Sequence, residues 1–277
     1  MRRLVLRGGV AVVSGAASGI GRATAHALAR RGCAVALVDR DAVGLAAAAA
    51  EVRALGAEAS EHLLDVADAE AVAALPEAVL AVHGRVTVLV CAAGVSLVGR
   101  FETVTMDEFR WLVEINLFGT VGLTKAFLPA MQRERAVQIV TVSSLFGIIA
   151  PAEQTAYVAS KFAVRGFSES LRHELAGTGV GVTVVHPGGV ATAIARNARV
   201  AAALDPAAEA GRTARFERTF LKTDPAVVGE AIVRAIERRA PRLLVADGAR
   251  AGAALQRLMP VGYWRLLRAR FERLNRG

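Results

Sequence analysis

The sequence predicts an α/β fold, a doubly wound parallel sheet of about seven strands with helices on both faces and a helical tail at the C-terminus. Two observations carry this. Short, continuous apolar runs rich in β-branched residues recur along the chain, as strands buried on both faces require. Each is followed by a longer Ala- and Leu-rich stretch of helical character, the alternation that builds parallel strand–helix–strand units.

In chain order, Val10–Val13 reads as the first strand and Ile20–Arg31 as the first helix. Ala34–Val38 and Val43–Leu55 form the next pair, and Glu61–Asp65 closes the third strand ahead of the helix Ala69–Val82. Val86–Val90 is the fourth strand, followed by a long amphipathic stretch from Met106 to Gln132. Val137–Val142, the helix Ala156–Ala176 and the strand Val180–His186 continue the pattern. Between Gly188 and Asp224 it loosens into an Ala/Arg-rich segment with no clear strand, expected to be mobile or to form small helices over a site. Val227–Arg239 is again helical and Arg242–Val245 is the last strand. With no internal repeat and no linker, residues 1–249 are expected to form one domain, and 250–277 an appended tail. In a doubly wound sheet, ligands bind beyond the carboxyl ends of the strands.

The chain has 277 residues, 54% of them apolar, which excludes a disordered chain or a disulfide scaffold. Its net charge of +9 suggests nucleic acid until the charges are located. Arg2, Arg3, Arg7 and the seven arginines after residue 249 supply it all, because residues 8–249 hold 24 basic and 24 acidic side chains. A neutral body with basic ends is not a nucleic-acid face, so no nucleic-acid partner is expected. Cys33 and Cys91 lie inside apolar runs and read as buried free thiols of a reducing compartment. No Cys/His cluster suggests a metal, so none is expected. No run of about 18 apolar residues predicts a membrane span. Arg7 and the glycines after it interrupt any signal-peptide core, so a cytoplasmic protein is expected.

Ser14-Gly15-Ala16-Ala17-Ser18-Gly19-Ile20-Gly21 joins the first strand to the first helix. Glycines there let the backbone turn tightly and approach a pyrophosphate, whose charge the helix N-terminus favours. The spacing is GxxxGxG, not the commoner GxGxxG, and a plain strand-to-helix turn is the alternative. Asp39 ends the second strand 18 residues after Gly21. An acid there accepts hydrogen bonds from the ribose hydroxyls of NAD and repels the 2′-phosphate of NADP. Arg40 argues the other way, since a guanidinium serves a phosphate well. Asp39 carries more weight, so NAD is expected ahead of NADP. Asp65 and Val66 either flank the adenine or, for Asp65, cap the next helix.

Tyr157 and Lys161 are four apart in a predicted helix, so both lie on one face. The chain has only two tyrosines and three lysines, which makes the pairing hard to ascribe to chance. A phenol is a poor base near neutrality, and a nearby ammonium lowers its pKa. Such a tyrosine could exchange a proton with a substrate oxygen while a hydride moves. The plainer alternative is a half-buried helix tyrosine beside a solvated lysine. Ser144, 13 residues before Tyr157 at a strand end, either holds the same oxygen or merely opens a loop.

Taken together, the glycine loop at 14–21, Asp39, Asp65, Cys-Ala-Ala-Gly at 91–94, Asn116, Ser144, Tyr157-x-x-x-Lys161 and His-Pro-Gly-Gly-Val-Ala-Thr at 186–192 resemble the short-chain dehydrogenase/reductase family, in its order and spacing. The resemblance spans roughly residues 14–245 and implies a Rossmann-type sheet of seven parallel strands and an NAD(P)-dependent oxidoreductase. It implies that Tyr157 is the general acid/base and that Lys161 lowers its pKa and holds the nicotinamide ribose. Ser144 would orient the substrate oxygen, and Asn116 would support a water through which Lys161 exchanges protons. Gly15, Ser18, Gly19, Ile20, Gly21, Asp39, Arg40, Asp65, Val66, Ala93, Gly94, Pro187 and Gly188 would line the dinucleotide, with Val190 and Thr192 gripping its carboxamide. A homodimer or homotetramer is implied. Two departures stand out. Ser14 replaces the usual threonine, and Cys91-Ala92 replaces an amide-bearing pair, which puts local support of the cofactor pocket in question.

Residues 188–224 are expected to cover the substrate. Ala193, Ile194, Ala201–Leu204, Phe216, Phe220 and Leu221 there suggest an apolar alcohol or ketone. After Pro260, Val261 to Arg276 reads as a helix with Tyr263, Trp264, Leu267, Phe271 and Leu274 on one face and Arg265, Arg268, Arg273 and Arg276 on the other. It either packs on its own domain or a neighbouring subunit, or rests weakly on an anionic membrane surface; the former is favoured. A non-catalytic dinucleotide sensor or scaffold is the alternative of a different class; it has no need of Tyr157, Lys161 and Ser144.

Overall fold

The computed structural model describes residues 3–268. Within them β1 (Val10–Ser14), β2 (Ala34–Asp39), β3 (Ala59–Leu63) and β4 (Val88–Cys91) are separated by helices α1 (Gly19–Ala29), α2 (Ala42–Ala54) and α3 (Ala69–His83). A short β5 (Leu97–Val98), α4 (Met106–Val113) and α5 (Gly119–Met131) follow. Next come β6 (Val137–Val142), α6 (Thr155–Glu174), β7 (Val180–Pro187), the short β8 (Arg199–Val200), α7 (Pro206–Phe220), α8 (Pro225–Arg238), β9 (Arg242–Val245) and α9 (Ala249–Leu258).

Seven strands form one sheet in the order β3-β2-β1-β4-β6-β7-β9, and every pairing is parallel. The chain lays down β1, β2 and β3 toward one edge and then returns to place β4 on the other side of β1. The loops after β1 and β4 therefore diverge, opening a crevice at the carboxyl ends of these two strands. Side-chain alternation sorts the core into two layers. Ala11, Val13, Val35, Leu37 and Val88 face α1, α2 and α8 through Leu28, Leu45 and Ile232. Val12, Ala36, Val38, Leu89 and Ile139 face α3, α5 and α6 through Val79, Phe127 and Leu171. Each fully buried Val, Leu, Ile or Phe among them contributes about 1.5–3 kcal/mol of transfer free energy.

The helices are capped from the sequence. Asp41 accepts from Val43 N and Gly44 N, Asp68 from Glu70 N and Ala71 N, and Asp224 from Ala226 N ahead of Pro225. Thr105 and Glu108 form a reciprocal capping box at α4.

Four differences from the sequence reading have physical causes. The third strand is Ala59–Leu63, ending two residues before the expected Asp65, because register with Val35–Asp39 decides it and this edge strand is too polar to mark its own limits. The stretch Met106–Gln132 is no continuous helix: a π-helical turn, Glu114–Phe118, divides α4 from α5. The loose segment 188–224 contains the 15-residue helix α7, started by Asp205 and Pro206. Helix also begins earlier in the tail than Val261, at Ala249 after Gly248, and resumes over 263–268. Phe271, Arg273, Leu274 and Arg276 lie outside the described residues.

Candidate active site

A cavity of about 1510 Å³ opens at the carboxyl ends of the strands. Its walls contain Gly15, Ser18, Gly19, Ile20, Gly21, Asp39, Arg40, Asp65, Val66, Ala93, Gly94, Ser144, Tyr157, Lys161, Pro187, Gly188, Val190 and Thr192. Every catalytic and dinucleotide residue expected from the sequence is thus brought to one space, save Asn116, which is buried behind Gly94; of the expected substrate-covering residues, Ala201–Leu204 are not in its wall.

The crevice end is built from β1, β2 and β4. Ser14 Oγ accepts from Ala92 N at 3.2 Å and Ala93 N at 3.3 Å, tying the glycine loop to the loop after β4. Gly21 lies so close to the preceding turn that a Cβ would stand 2.1 Å from Gly15 O. That packing leaves the N-terminus of α1 pointing into the cavity, where Ser18 makes no side-chain cap of its own. Asp39 accepts from Ala17 N and Asp41 N, each at 3.0 Å, which fixes its carboxylate at the rim. Arg40 Nη1 pairs with Asp65 Oδ2 at 3.3 Å. The cap of α3 is Asp68, not Asp65, whose other oxygen accepts from Ala67 N. Asp65 therefore stays at the cavity wall rather than serving the helix. These parts fit a dinucleotide: glycines that let backbone approach, a helix N-terminus for phosphate and a carboxylate for ribose hydroxyls.

Cys91 does not enter the cavity. Its thiol turns away from the cavity into the layer under α5, 3.9 Å from Thr120 O, and burial pushes its pKa up to about 12. Cys33 is likewise a buried free thiol.

At the other end stands the tyrosine–lysine pair of α6. Lys161 is 4% exposed, and its Nζ donates to Val142 O at 3.1 Å and lies 5.6 Å from the Tyr157 ring centroid. Desolvation lowers its pKa to about 8. Desolvation also raises the Tyr157 phenol to about 12, against a hydrogen bond with Ser144 that lowers it. The phenol thus moves opposite to the direction expected from a neighbouring ammonium, because desolvation outweighs the Ser144 hydrogen bond. Phe146 packs edge-on against the tyrosine ring, centroids 6.2 Å apart, and limits its rotation.

Ser144 opens the 3₁₀ turn Leu145–Gly147, with its Oγ accepting from Phe146 N at 3.0 Å. Its carbonyl lies 3.0 Å from Nδ1 of His186, a residue with no solvent exposure. A carbonyl only accepts, so Nδ1 carries the proton. Desolvation lowers the His186 pKa to about 4 and keeps the ring neutral. His186 opens the 186–192 motif, yet nothing in the sequence singles it out as the partner of Ser144.

Asn116 sits inside the π-helical turn, which re-aims its side chain. Its Oδ1 accepts from Val95 N at 2.8 Å, and its Nδ2 donates to Val95 O and Ser160 Oγ. Among the described hydrogen bonds none joins it to Lys161. It braces the Gly94–Val95 backbone, and a Cβ on Gly94 would come within 3.3 Å of Lys161 Nζ. Thr192 closes over the glycine loop, its Cγ2 being 3.2 Å from where a Gly19 Cβ would lie.

The outer cavity is lined by Ile149, Ile194, Phe216, Phe220 and Leu221 from the loop after Ser144 and from the covering segment. Polar side chains interrupt this wall: Arg212, paired with Glu153 and Glu209, and also Gln154, Thr213, Thr219 and Lys222. Leu255, Trp264, Leu267 and Arg268 of the tail also reach it, which the sequence reading missed although it placed Trp264 and Leu267 on one helix face. No described helix is long and apolar enough to cross a membrane.

Comparison with known proteins agrees with this geometry. A short chain dehydrogenase family model matches residues 9–203. A Mycobacterium tuberculosis protein that carries an oxidoreductase name, SadH, is 41% identical over 264 residues, 95% of each chain. A short-chain dehydrogenase/reductase from Burkholderia phymatum, solved in complex with NAD, superposes with a TM-score of 0.84 at 31% identity, over 92% of this chain and 95% of its own. A metagenomic short-chain oxidoreductase solved with NADP gives a TM-score of 0.71 at 33% identity, over 87% and 98%. The fold, the cavity and these relatives together show that this chain is an oxidoreductase belonging to the short-chain dehydrogenase/reductase family.

Proposed function

We propose that this chain interconverts an apolar secondary alcohol and its ketone with NAD(H), using Tyr157 as general acid/base. The observation that carries this reading is one cavity with Asp39 at one rim, Tyr157, Lys161 and Ser144 within, and apolar side chains beyond them. The nicotinamide, when bound, supplies or accepts the hydride.

The chain's own residues do the rest. Asp39 meets the ribose hydroxyls and repels a 2′-phosphate, while Arg40 is already engaged by Asp65. Tyr157, held neutral by burial, gives its proton to the substrate oxygen as a ketone becomes an alcohol. In the reverse direction it must take that proton, so the Lys161 ammonium then favours the phenolate. Ser144 holds the substrate oxygen and is itself positioned by His186. Asn116 braces the floor beneath the nicotinamide side, and the segment 188–224 excludes water. We place the catalytic and cofactor-binding functions in one domain over residues 1–249, in a cytoplasmic homodimer or homotetramer.

Titrating the protein with NADH and NADPH by nucleotide fluorescence, followed by a screen of apolar secondary alcohols, tests this. Tighter NADH binding with turnover of such alcohols is expected; tighter NADPH binding overturns the cofactor assignment. Exposed Leu258, Val261 and Leu266 beside Arg257 and Arg265 favour, as a second reading, weak contact with anionic membranes. Equal liposome flotation by the full chain and one ending at Gly252 would sink it.

A further inference from the structure

Residues 249–268 follow the last strand and return across the cavity mouth. Gly252 lies against Leu145, where a Cβ would come within 2.9 Å of Cδ1. Tyr263 Oη accepts a hydrogen bond from Ala150 N at 2.8 Å. Both contacts fall on the 144–151 loop, the one that presents Ser144. The tail is therefore docked on the loop that orients the substrate oxygen, not merely laid on the surface.

The docking turns one side of the tail inward. Leu255, Trp264 and Leu267 line the same cavity as Tyr157, with Phe216 and Phe220 also in its wall. The other side faces solvent, with Leu258 80%, Val261 89% and Leu266 59% exposed. Trp264 and Leu267 are half-buried, as expected for side chains that cover a cavity without filling it.

We propose that Trp264, held in place by the Tyr263–Ala150 hydrogen bond, is a specificity-determining residue: it forms the distal wall of the substrate pocket and selects ketones and alcohols with a long apolar chain. This rests on the alcohol/ketone reading above. A four-carbon ketone held at Ser144 and Tyr157 does not need that wall. A ten-carbon one gains by burying its far end against the indole. Covering roughly 50 Å² of ligand at the usual transfer coefficient corresponds to about tenfold in kcat/KM.

The test compares 2-decanone with 2-butanone in the full-length protein and in Trp264→Ala. The ratio of their kcat/KM values is expected to fall about tenfold in the variant. A ratio unchanged within about twofold overturns the proposal. A second readout needs no turnover. Trp264 and Trp111 are the only two tryptophans, so Trp111→Phe leaves Trp264 as the sole emitter. Its acrylamide quenching should be slower than that of free indole and should quicken when Tyr263→Phe is added. Quenching as fast as free indole, with no response to Tyr263→Phe, also overturns the proposal. A wild type that reduces neither ketone refutes the reaction instead, and the quenching then decides the wall alone.

Discussion

Replacing His186 by Asn should remove a large part of the acid sensitivity of the fold. The imidazole is fully buried, donates from Nδ1 to Ser144 O, and has at Nε2 no hydrogen-bond partner among the described residues. Desolvation is the main reason its pKa falls from 6.5 to about 4; Arg242 and Arg165 add to it, and Glu169 and the Ser144 carbonyl oppose it. The folded pKa lies below the unfolded one, so the unfolded chain takes up the proton first. Stability is undiminished above pH 6.5, falls as the pH drops, and stops falling below about 4. A difference of this size is worth about 3 kcal/mol at about 1.36 kcal/mol per pKa unit, a large share of a typical domain stability of roughly 5–15 kcal/mol. Asn carries its amide nitrogen on Cγ, as His carries Nδ1, so it keeps an N–H for the Ser144 carbonyl but cannot titrate. Urea unfolding of both proteins at several pH values measures the difference. It should be constant above pH 6.5 and shrink by about 3 kcal/mol toward pH 4 at wild type's expense. A pH-independent difference would refute the reasoning.

Two further outcomes follow from the site. Asp39→Ser should weaken NADH binding about tenfold or more, the worth of a charge-assisted hydrogen bond, and narrow the gap to NADPH; fluorescence titration with both nucleotides reads this, and an unaltered preference would contradict the role of Asp39. Gly94→Ala puts a Cβ 3.1 Å from Asn116 Oδ1 and 3.3 Å from Lys161 Nζ. Displacing the lysine by a fraction of an ångström should cost roughly 10–100-fold in kcat while thermal unfolding moves by only a few degrees, and equal losses of both would count against it.

Much of the sheet was legible because buried parallel strands must be continuous apolar runs. Val137–Val142 and Arg242–Val245 have the observed limits, whereas β3 has half-exposed polar residues and owes its limits to register with β2. The π-helical turn at Asn116 was hidden because one extra residue in a turn barely disturbs an apolar periodicity. Gathering of the glycine loop, Asp39, Ser144, Tyr157 and Lys161 followed from motif spacing and topology. What burial does to each side chain did not: the raised phenol, the neutral His186 and the Cys91 thiol turned into the core depend on distances no spacing encodes. The tail's inward face was visible as a stripe at Tyr263, Trp264 and Leu267, but its destination required the fold.

The most direct test of the central claim is Tyr157→Phe, which deletes one hydroxyl and keeps the ring against Phe146. NADH binding should stay within about threefold of wild type while turnover falls on the order of 10²–10⁴-fold, the usual worth of a general acid/base. Turnover that survives undiminished would contradict it.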